Sequence, residues 1–448
     1  MKKICFRFTS VILAFTLVFS AVIFGFNGVQ YSIKPGIETI AQKNNAVTVV
    51  SSVQEAVQFL AEMTKAGTKS NKDDGVLTKC GGNCGHCPTI VIPGIGQGQV
   101  FLLDENGKRK INADGKQATA WPIQVDSNAL VKDLALPLVK MLVTQKDNDF
   151  TDFASKSIAK AFSANSTDLQ GQPVNKVEVV KYPRSVAMCS AEDKKFIYNC
   201  IPIHGFSEVA GEDHLYFLGY NSFGNNLEIA QELYDLIQLV KKETGHAKVN
   251  IAPISLGGTI TNSLLEYYPQ VYNDLNKIIF IVPGLDGSAL VGDIYKGTLS
   301  TEDEMLYRDL LPSLVNGYAG YLINVALRLI PKQILHDLLA KTVGEIQQTL
   351  LFNCTVLWGL VPNSEYEALA EKYISDPAHK EIKRQTDLFH IAQTNSKTNI
   401  LKCIAHGVKV FDIVDYNHPL YSFVPSSRTT NGDGLLNVGS TSMGATCG

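Results

Sequence analysis

Short runs of β-branched and aliphatic residues alternate along this chain with longer segments whose apolar positions recur every three or four residues. Thr89-Ile90-Val91-Ile92, His214 to Tyr220, the run from Val249, Lys277 to Val282 and Val408 to Val414 read as strands, most of them without polar interruption. Unbroken apolar runs of that length suit strands buried on both faces. Val177 to Val180 and Phe196 to His204 read as two more strands, and Trp121 to Val125 as a shorter piece. Leu130 to Leu142, Leu227 to Lys242 and Thr259 to Tyr268 carry helical spacing. Strands and helices in alternation predict an α/β fold, a mostly parallel sheet with helices on both faces.

One region breaks the alternation. Residues 293–400, between two apparent core strands, are mostly helical in pattern and include an unusually apolar stretch from Leu310 to Ile330, continued by Ile334, Leu335, Leu338 and Leu339. Such a segment is either a buried helical layer or a cap whose apolar face covers a site and meets lipid. The division that follows is 1–30, a signal peptide or anchor; 31–88, a helical and linker segment; 89–292, the first part of the core; 293–400, the helical insertion; and 401–448, the second part of the core. Within 31–88 the spacing predicts a helix over Ser52 to Met63, then a polar linker, Lys65 to Asp74.

The first segment changes the expected compartment. Lys2, Lys3 and Arg7 precede an apolar run from Val11 to Phe26, the n-region and h-region of an export signal or an uncleaved anchor. A secreted or cell-surface protein is expected. The net charge of −3 and pI near 6.3 lack the basic footprint of a nucleic-acid binder. Of nine cysteines, eight follow the signal: Cys80, Cys84, Cys87, Cys189, Cys200, Cys354, Cys403 and Cys447. An even count in an exported chain suggests disulfides, with 105 connectivities open. Cys189 and Cys200 flank a charged turn, so a local bridge is expected there. The spacing Cys80-x-x-x-Cys84-x-x-Cys87 matches the cluster motif of radical S-adenosylmethionine enzymes. It follows an export signal and precedes a strand, however, which suits disulfides or a small metal site helped by His86 better.

The candidate chemistry centres on Ser255, in Val249-Asn250-Ile251-Ala252-Pro253-Ile254-Ser255-Leu256-Gly257-Gly258. A serine between an apolar strand and a helix, followed by two glycines, has the makings of a nucleophile elbow, here P-x-S-x-G in place of G-x-S-x-G. A serine hydroxyl needs a base, a carboxylate to orient it, and two backbone N–H groups for the oxyanion. Leu256 is placed to supply one N–H and Ile95, in Pro93-Gly94-Ile95-Gly96-Gln97-Gly98, the other. That loop is a poor phosphate binder, because its glycine spacing is wrong and no helix starts there. Asp433, in Asn431-Gly432-Asp433-Gly434, is the candidate acid; a turn role or a structural calcium ion is its alternative, and no catalytic metal or cofactor is expected. Asp286 is the runner-up, ahead of Asp412 and Asp415. No histidine follows Asp433. His418 could pair by order only with Asp286 or Asp412, while His204 and His406 look structural. The end at Ala445-Thr446-Cys447-Gly448 predicts a fragment whose base lies past it.

In order along the chain, Ile90-Val91-Ile92-Pro93-Gly94-Ile95-Gly96-Gln97, Leu218-Gly219-Tyr220-Asn221, Ile254-Ser255-Leu256-Gly257-Gly258 and Asn431-Gly432-Asp433-Gly434 resemble the motifs of α/β-hydrolase lipases. The layout is most similar to the branch of lecithin:cholesterol acyltransferase and its bacterial relatives. The resemblance spans about residues 89–445 in outline, the insertion apart. It implies an α/β-hydrolase fold, Ser255 as nucleophile, Asp433 as acid, and Ile95 and Leu256 as oxyanion donors. Joined to the export signal and to the insertion read as a helical cap, it leads to the expectation of an exported ester hydrolase acting on a lipid or other acyl ester, able to meet a membrane through its cap. Pro253 and Ile254 stand where the family has glycine and histidine, and Asn221 where it has aspartate. The alternatives are a non-catalytic surface protein on the same fold that binds lipid or a partner, and an amidase or peptidase.

Overall fold

A computed structural model describes residues 82, 84–113, 115–124, 127–201, 203–299, 328–421 and 424–444. The expected helix at Ser52 to Met63, the export segment, Cys80, Cys447 and the apolar stretch from Leu310 to Val325 lie outside the described residues. A parallel sheet runs through the middle of the molecule. Its strands are β1 (Thr89–Ile92), β5 (Leu215–Phe217), β6 (Val249–Pro253), β7 (Leu275–Ile281) and β8 (Lys409–Ile413), in the spatial order β5-β1-β6-β7-β8. Every pairing is parallel, with Ile90 beside both Tyr216 and Ile251, and Ile278 beside Val410. β1, β5 and β6 are buried along their whole length, which is why they carry no polar-out alternation.

The period of two sorts their side chains between two cores. Ile90, Ile92, Tyr216, Ile251, Ile278 and Phe280 face one way. There they meet helices α5 (Asn226–Thr244) and α6 (Leu256–Tyr267), through Leu233, Ile237, Ile260 and Leu264. Val91, Leu215, Phe217, Ala252 and Ile279 face the other way, against Ile197 and Ile201 of α3 (Ala191–Cys200) and its flank, and Phe206 of α4 (His204–Ala210). The molecule is thus an α/β protein with a mostly parallel five-stranded sheet flanked by helices.

Capping sets the helix ends. Asn225 accepts from the Leu227 N–H at 2.9 Å to start α5, and Gly245, at φ 74°, closes it. Ahead of residues 177–179 lie α1 (Ser127–Thr144) and α2 (Phe150–Phe162). A small antiparallel sheet, β3 (Thr119–Trp121), β2 (Val100–Leu102) and β4 (Val177–Val179), sits beside the main one. Beyond β7 come α7 (Ala289–Lys296), α8 (Lys332–Ile346), a π-helical turn over Gln347–Leu351, a single turn at Thr355–Trp358, α9 (Asn363–Tyr373), α10 (Lys380–Thr394) and α11 (Ser396–Ala405). The last two return along α6. The Tyr267 hydroxyl donates to the Leu388 carbonyl at 2.5 Å, and Asn399 donates to Glu266 at 2.6 Å. They therefore form the crossover that delivers the chain to β8. Among the described residues no helix is long and apolar enough to cross a membrane.

Two expectations fail together. Phe196 to His204 is not a strand but the end of α3 and the approach to α4. The Ser190 hydroxyl caps α3 by accepting from the Asp193 N–H at 3.0 Å, and Glu192 and Asp193 sit in its first turn, where the helix dipole favours them. A helix also rules out the expected Cys189–Cys200 bridge. Cys189 precedes the cap and Cys200 is the last helical residue; at about 1.5 Å per residue they stand roughly 15 Å apart, against the ~7 Å limit for a disulfide. Both are free thiols, and burial pushes Cys200 up to about 12.

Candidate functional site

The carboxyl ends of the parallel strands gather four loops: Pro93 to Gly98 after β1, Asn221 to Asn225 after β5, Ser255 after β6 and Pro283 to Ser288 after β7. That edge of an open α/β sheet is where ligands bind. Ser255 has φ 50° and ψ −114°, a conformation L-residues rarely adopt. Its backbone is pinned on three sides. Its N–H donates to the Ile281 carbonyl at 3.1 Å, and its own carbonyl accepts from Gly258 and Gly284, each at 2.9 Å. Strain of this kind persists only where the surroundings over-determine it. The glycines make that possible: a Cβ on Gly257 would stand 2.5 Å from the Ile92 carbonyl oxygen, and one on Gly258 2.8 Å from Pro283 Cβ. Helix α6 therefore starts hard against β1 and the β7 loop, leaving the serine at the turn.

The Pro93 to Gly98 loop lies directly alongside, since a Cβ on Gly94 would reach within 3.1 Å of Ser255 Cβ. It is held from several directions. The Gln97 side chain accepts from the Gly94 N–H at 2.6 Å and donates to the Cys200 carbonyl at 3.0 Å. The Gly96 N–H donates to Ser222 Oγ at 2.8 Å, and Trp121 Nε1 donates to the Gly96 carbonyl at 2.5 Å. The buried Tyr220 hydroxyl donates to the Pro93 carbonyl at 2.6 Å. Ile95 and Leu256 make no backbone N–H hydrogen bond among the described residues. Two backbone N–H groups, one next to Ser255 in the chain and one in the loop packed against it, are the kind of donors an oxyanion requires.

Asp433 follows β10 (Asn431–Gly432), which pairs with β9 (His418–Pro419). One oxygen, Oδ1, accepts from the Leu435 N–H at 2.8 Å and the Leu436 N–H at 2.7 Å. Burial raises its carboxyl above the usual range; these two donors pull it back in part, and Asp415 pushes it further up. Its loop is tied to the β7 loop, because Ser288 Oγ donates to the Leu435 carbonyl at 2.5 Å and the Ala289 N–H donates to Asn437 at 3.1 Å. A desolvated carboxylate near a site edge is a functional candidate. It also costs stability. Folded Asp433 holds its proton to higher pH than unfolded Asp433, so its contribution falls as pH rises through the folded value, then levels. Asp433→Asn should remove that fall. In urea titrations the stability difference between variant and parent should grow in the variant's favour from about pH 4 toward neutrality; a constant difference would contradict it.

The other candidates separate. The exposed Asp286 accepts from the Asn363 N–H at 3.3 Å, and its N–H donates to Ser440 Oγ at 2.9 Å, so it binds the β7 loop to α9. Asp412 lies on edge strand β8, where burial raises its carboxyl to about 7, and it makes no hydrogen bond to an imidazole or to Ser255 among the described residues. His418 is exposed, yet its backbone lies beside Asp433 rather than beside Asp286 or Asp412. His204 stacks on Tyr198 at 4.3 Å, and His406 Nδ1 pairs with the Lys402 carbonyl at 2.8 Å, both structural roles. Among the described residues no imidazole hydrogen-bonds to Ser255 or Asp433.

No protein-family model and no characterised protein matches the chain in sequence.

The insertion reaches this edge of the sheet. A Cβ on Gly287 would meet the Leu360 carbonyl oxygen at 2.6 Å, Leu360 also lies against Gly284, and Thr355 Oγ1 donates to the Gly224 carbonyl at 3.2 Å. The structure brings the loop that carries Ile95 against Ser255 through Gly94, and Leu256 follows the serine directly. The bracing by Trp121, Ser222 and Cys200 is not legible in the sequence, since those residues stand as many as 126 positions from the loop.

Proposed function

We propose that the chain is an exported serine ester hydrolase, lipase-like, built on an α/β-hydrolase fold with a helical cap. The observation that carries the reading is the conformation of Ser255: a strained, non-glycine turn at the end of a central parallel strand, beside a braced glycine loop with N–H groups to spare. In this reading Ser255 Oγ attacks the acyl carbonyl, the Ile95 and Leu256 N–H groups hold the oxyanion, the alcohol leaves with a proton, and water then releases the acid from the acyl-serine. Asp433 is the acid of the triad. The imidazole that would take the serine proton is unassigned. The apolar sequence of the insertion, which reaches the β7 loop through Leu360, favours an acyl-chain ester, and the basic, then apolar, N-terminus supports export.

The second reading is a surface protein of the same fold that binds lipid or a partner without turnover. The absence of an imidazole at Ser255 or Asp433 among the described residues favours it. A fluorophosphonate probe separates the two. Under the hydrolase reading the full chain labels at the Ser255 peptide and Ser255→Ala loses labelling by at least about 10⁴-fold. Labelling that survives Ser255→Ala ends the assignment of the nucleophile. An inert parent chain that still binds lipid vesicles supports the second reading.

A further inference from the structure

The opposite edge of the sheet carries a second constellation. Cys84 Sγ lies 3.0 Å from His214 Nε2 and 3.3 Å from His246 Nε2, and the three donor atoms fall within 4.8 Å of one another. His214 and His246 are buried, 6% and 8% exposed. From the structure we propose that Cys84, His214 and His246 supply three of the ligands of a zinc ion that ties together the entrances of β5, β1 and β6.

The donor set fits that ion. Thiolate sulfur and imidazole nitrogen are the ligands structural zinc prefers, at about 2.3 and 2.05 Å. Tetrahedral geometry at those lengths puts S and N about 3.5 Å apart, so the two Cys84–histidine distances lengthen by only a few tenths of an ångström to admit the metal. A softness argument points the same way: one thiolate and two imidazoles disfavour calcium and magnesium, which take oxygen donors. His214 is already oriented from behind. Its Nδ1 lies 3.1 Å from Asp213 Oδ2, the carboxylate–histidine arrangement that fixes which ring nitrogen faces a metal. The two rings stand edge to face, 5.7 Å apart and 83° between planes, so their Nε2 atoms converge without stacking.

Local structure explains the convergence. Gly211, at φ 86°, starts the turn that delivers His214 just before β5. Gly245 ends α5 and places His246 just before β6. Gly82, at φ 80°, lets the incoming chain press against that end, where a Cβ would meet the Gly245 carbonyl oxygen at 2.7 Å. Cys84 then sits five residues ahead of β1. The three anchors precede three adjacent strands, β5, β1 and β6. Ser255 lies beyond the far end of β6, whose five residues alone span roughly 16 Å at about 3.3 Å each. The ion is therefore a staple for the sheet, not a participant at the serine.

The test is metal analysis of the full chain after zinc loading and dialysis against metal-free buffer. The parent and Ser255→Ala should each retain one zinc per chain, and Cys84→Ser should retain under a tenth of that. Cobalt(II) in place of zinc should give a thiolate charge-transfer band in the parent that Cys84→Ser lacks. Bound zinc should also slow alkylation of Cys84. Asp213→Asn leaves all three ligands in place and covers the case in which Cys84→Ser fails to fold; it should weaken zinc binding about 10- to 100-fold. Parent protein that takes up no zinc, or Cys84→Ser and Asp213→Asn proteins that bind it as the parent does, would overturn the proposal.

Discussion

Ser255→Gly is expected to make the protein more stable while it removes covalent labelling by a fluorophosphonate. Both effects follow from one geometry. At φ 50° and ψ −114° the serine Cβ crowds its own backbone, at a cost of order 1–3 kcal/mol for a non-glycine residue. Glycine pays no such cost in the folded state, though it loses about 0.5–1 kcal/mol through the greater freedom of the unfolded chain. The net gain should be about 1 kcal/mol, read as a higher urea midpoint at unchanged slope. Ser255→Ala is the necessary companion. It also lacks the hydroxyl, but it keeps Cβ and with it the strain, so its midpoint should stay near that of the parent. Equal midpoints for the glycine and alanine variants would mean that the turn stores no more strain than the about 0.5–1 kcal/mol glycine loses through the unfolded chain. A residue kept at a conformational cost, against an easy stabilising replacement, is one whose side chain does something the fold does not need.

Much of this turn was legible before any coordinates. Val249 to Pro253 is a buried parallel strand and reads as a run interrupted only by Asn250, and the two glycines after Ser255 mark a close approach. β1 matches its expected residues and β7 matches its own to within about two, for the same reason; β8, a partly exposed edge strand, matches to within one. α5 was legible because Asn225 and Gly245 punctuate both ends. The segment Phe196 to His204 was misread because Phe196, Ile197, Ile201 and Ile203 have the composition of a strand; the decisive signal was the Ser190 cap three residues ahead of Asp193. The Cys84 cluster was hidden for a different reason. His214 and His246 lie 130 and 162 residues from Cys84, and neither sits in a motif; only the order β5-β1-β6 brings them to one edge. His418 illustrates the same limit. Chain order set it apart from Asp433, whereas the β9–β10 pairing puts their backbones side by side.

Gly257→Ala should be among the most damaging single-methyl additions in the chain, destabilising it by about 3 kcal/mol or more, at the upper end of what overpacking costs. The added carbon would lie 2.5 Å from the Ile92 carbonyl oxygen, 3.1 Å from Ile92 Cγ2 and 3.2 Å from its carbonyl carbon. None of these can swing aside. Ile92 is the last residue of β1, and its carbonyl accepts from the Ile254 N–H at 2.9 Å, so moving it breaks a sheet contact one residue before Ser255. Moving α6 instead drags Ser255 away from the Pro93 to Gly98 loop. The variant should thus lose stability in urea and, where it still folds, lose serine labelling as well. Gly344→Ala supplies the contrast. Gly344 lies inside α8 with no atom within 4 Å of the place a Cβ would take, so alanine there should stabilise the helix by about 0.5–1 kcal/mol. The same chemical change, one methyl on a helical glycine, is predicted to act in opposite directions at the two positions. If Gly257→Ala proved as harmless as Gly344→Ala, the close approach of α6 to β1 would not be what holds Ser255 in its turn.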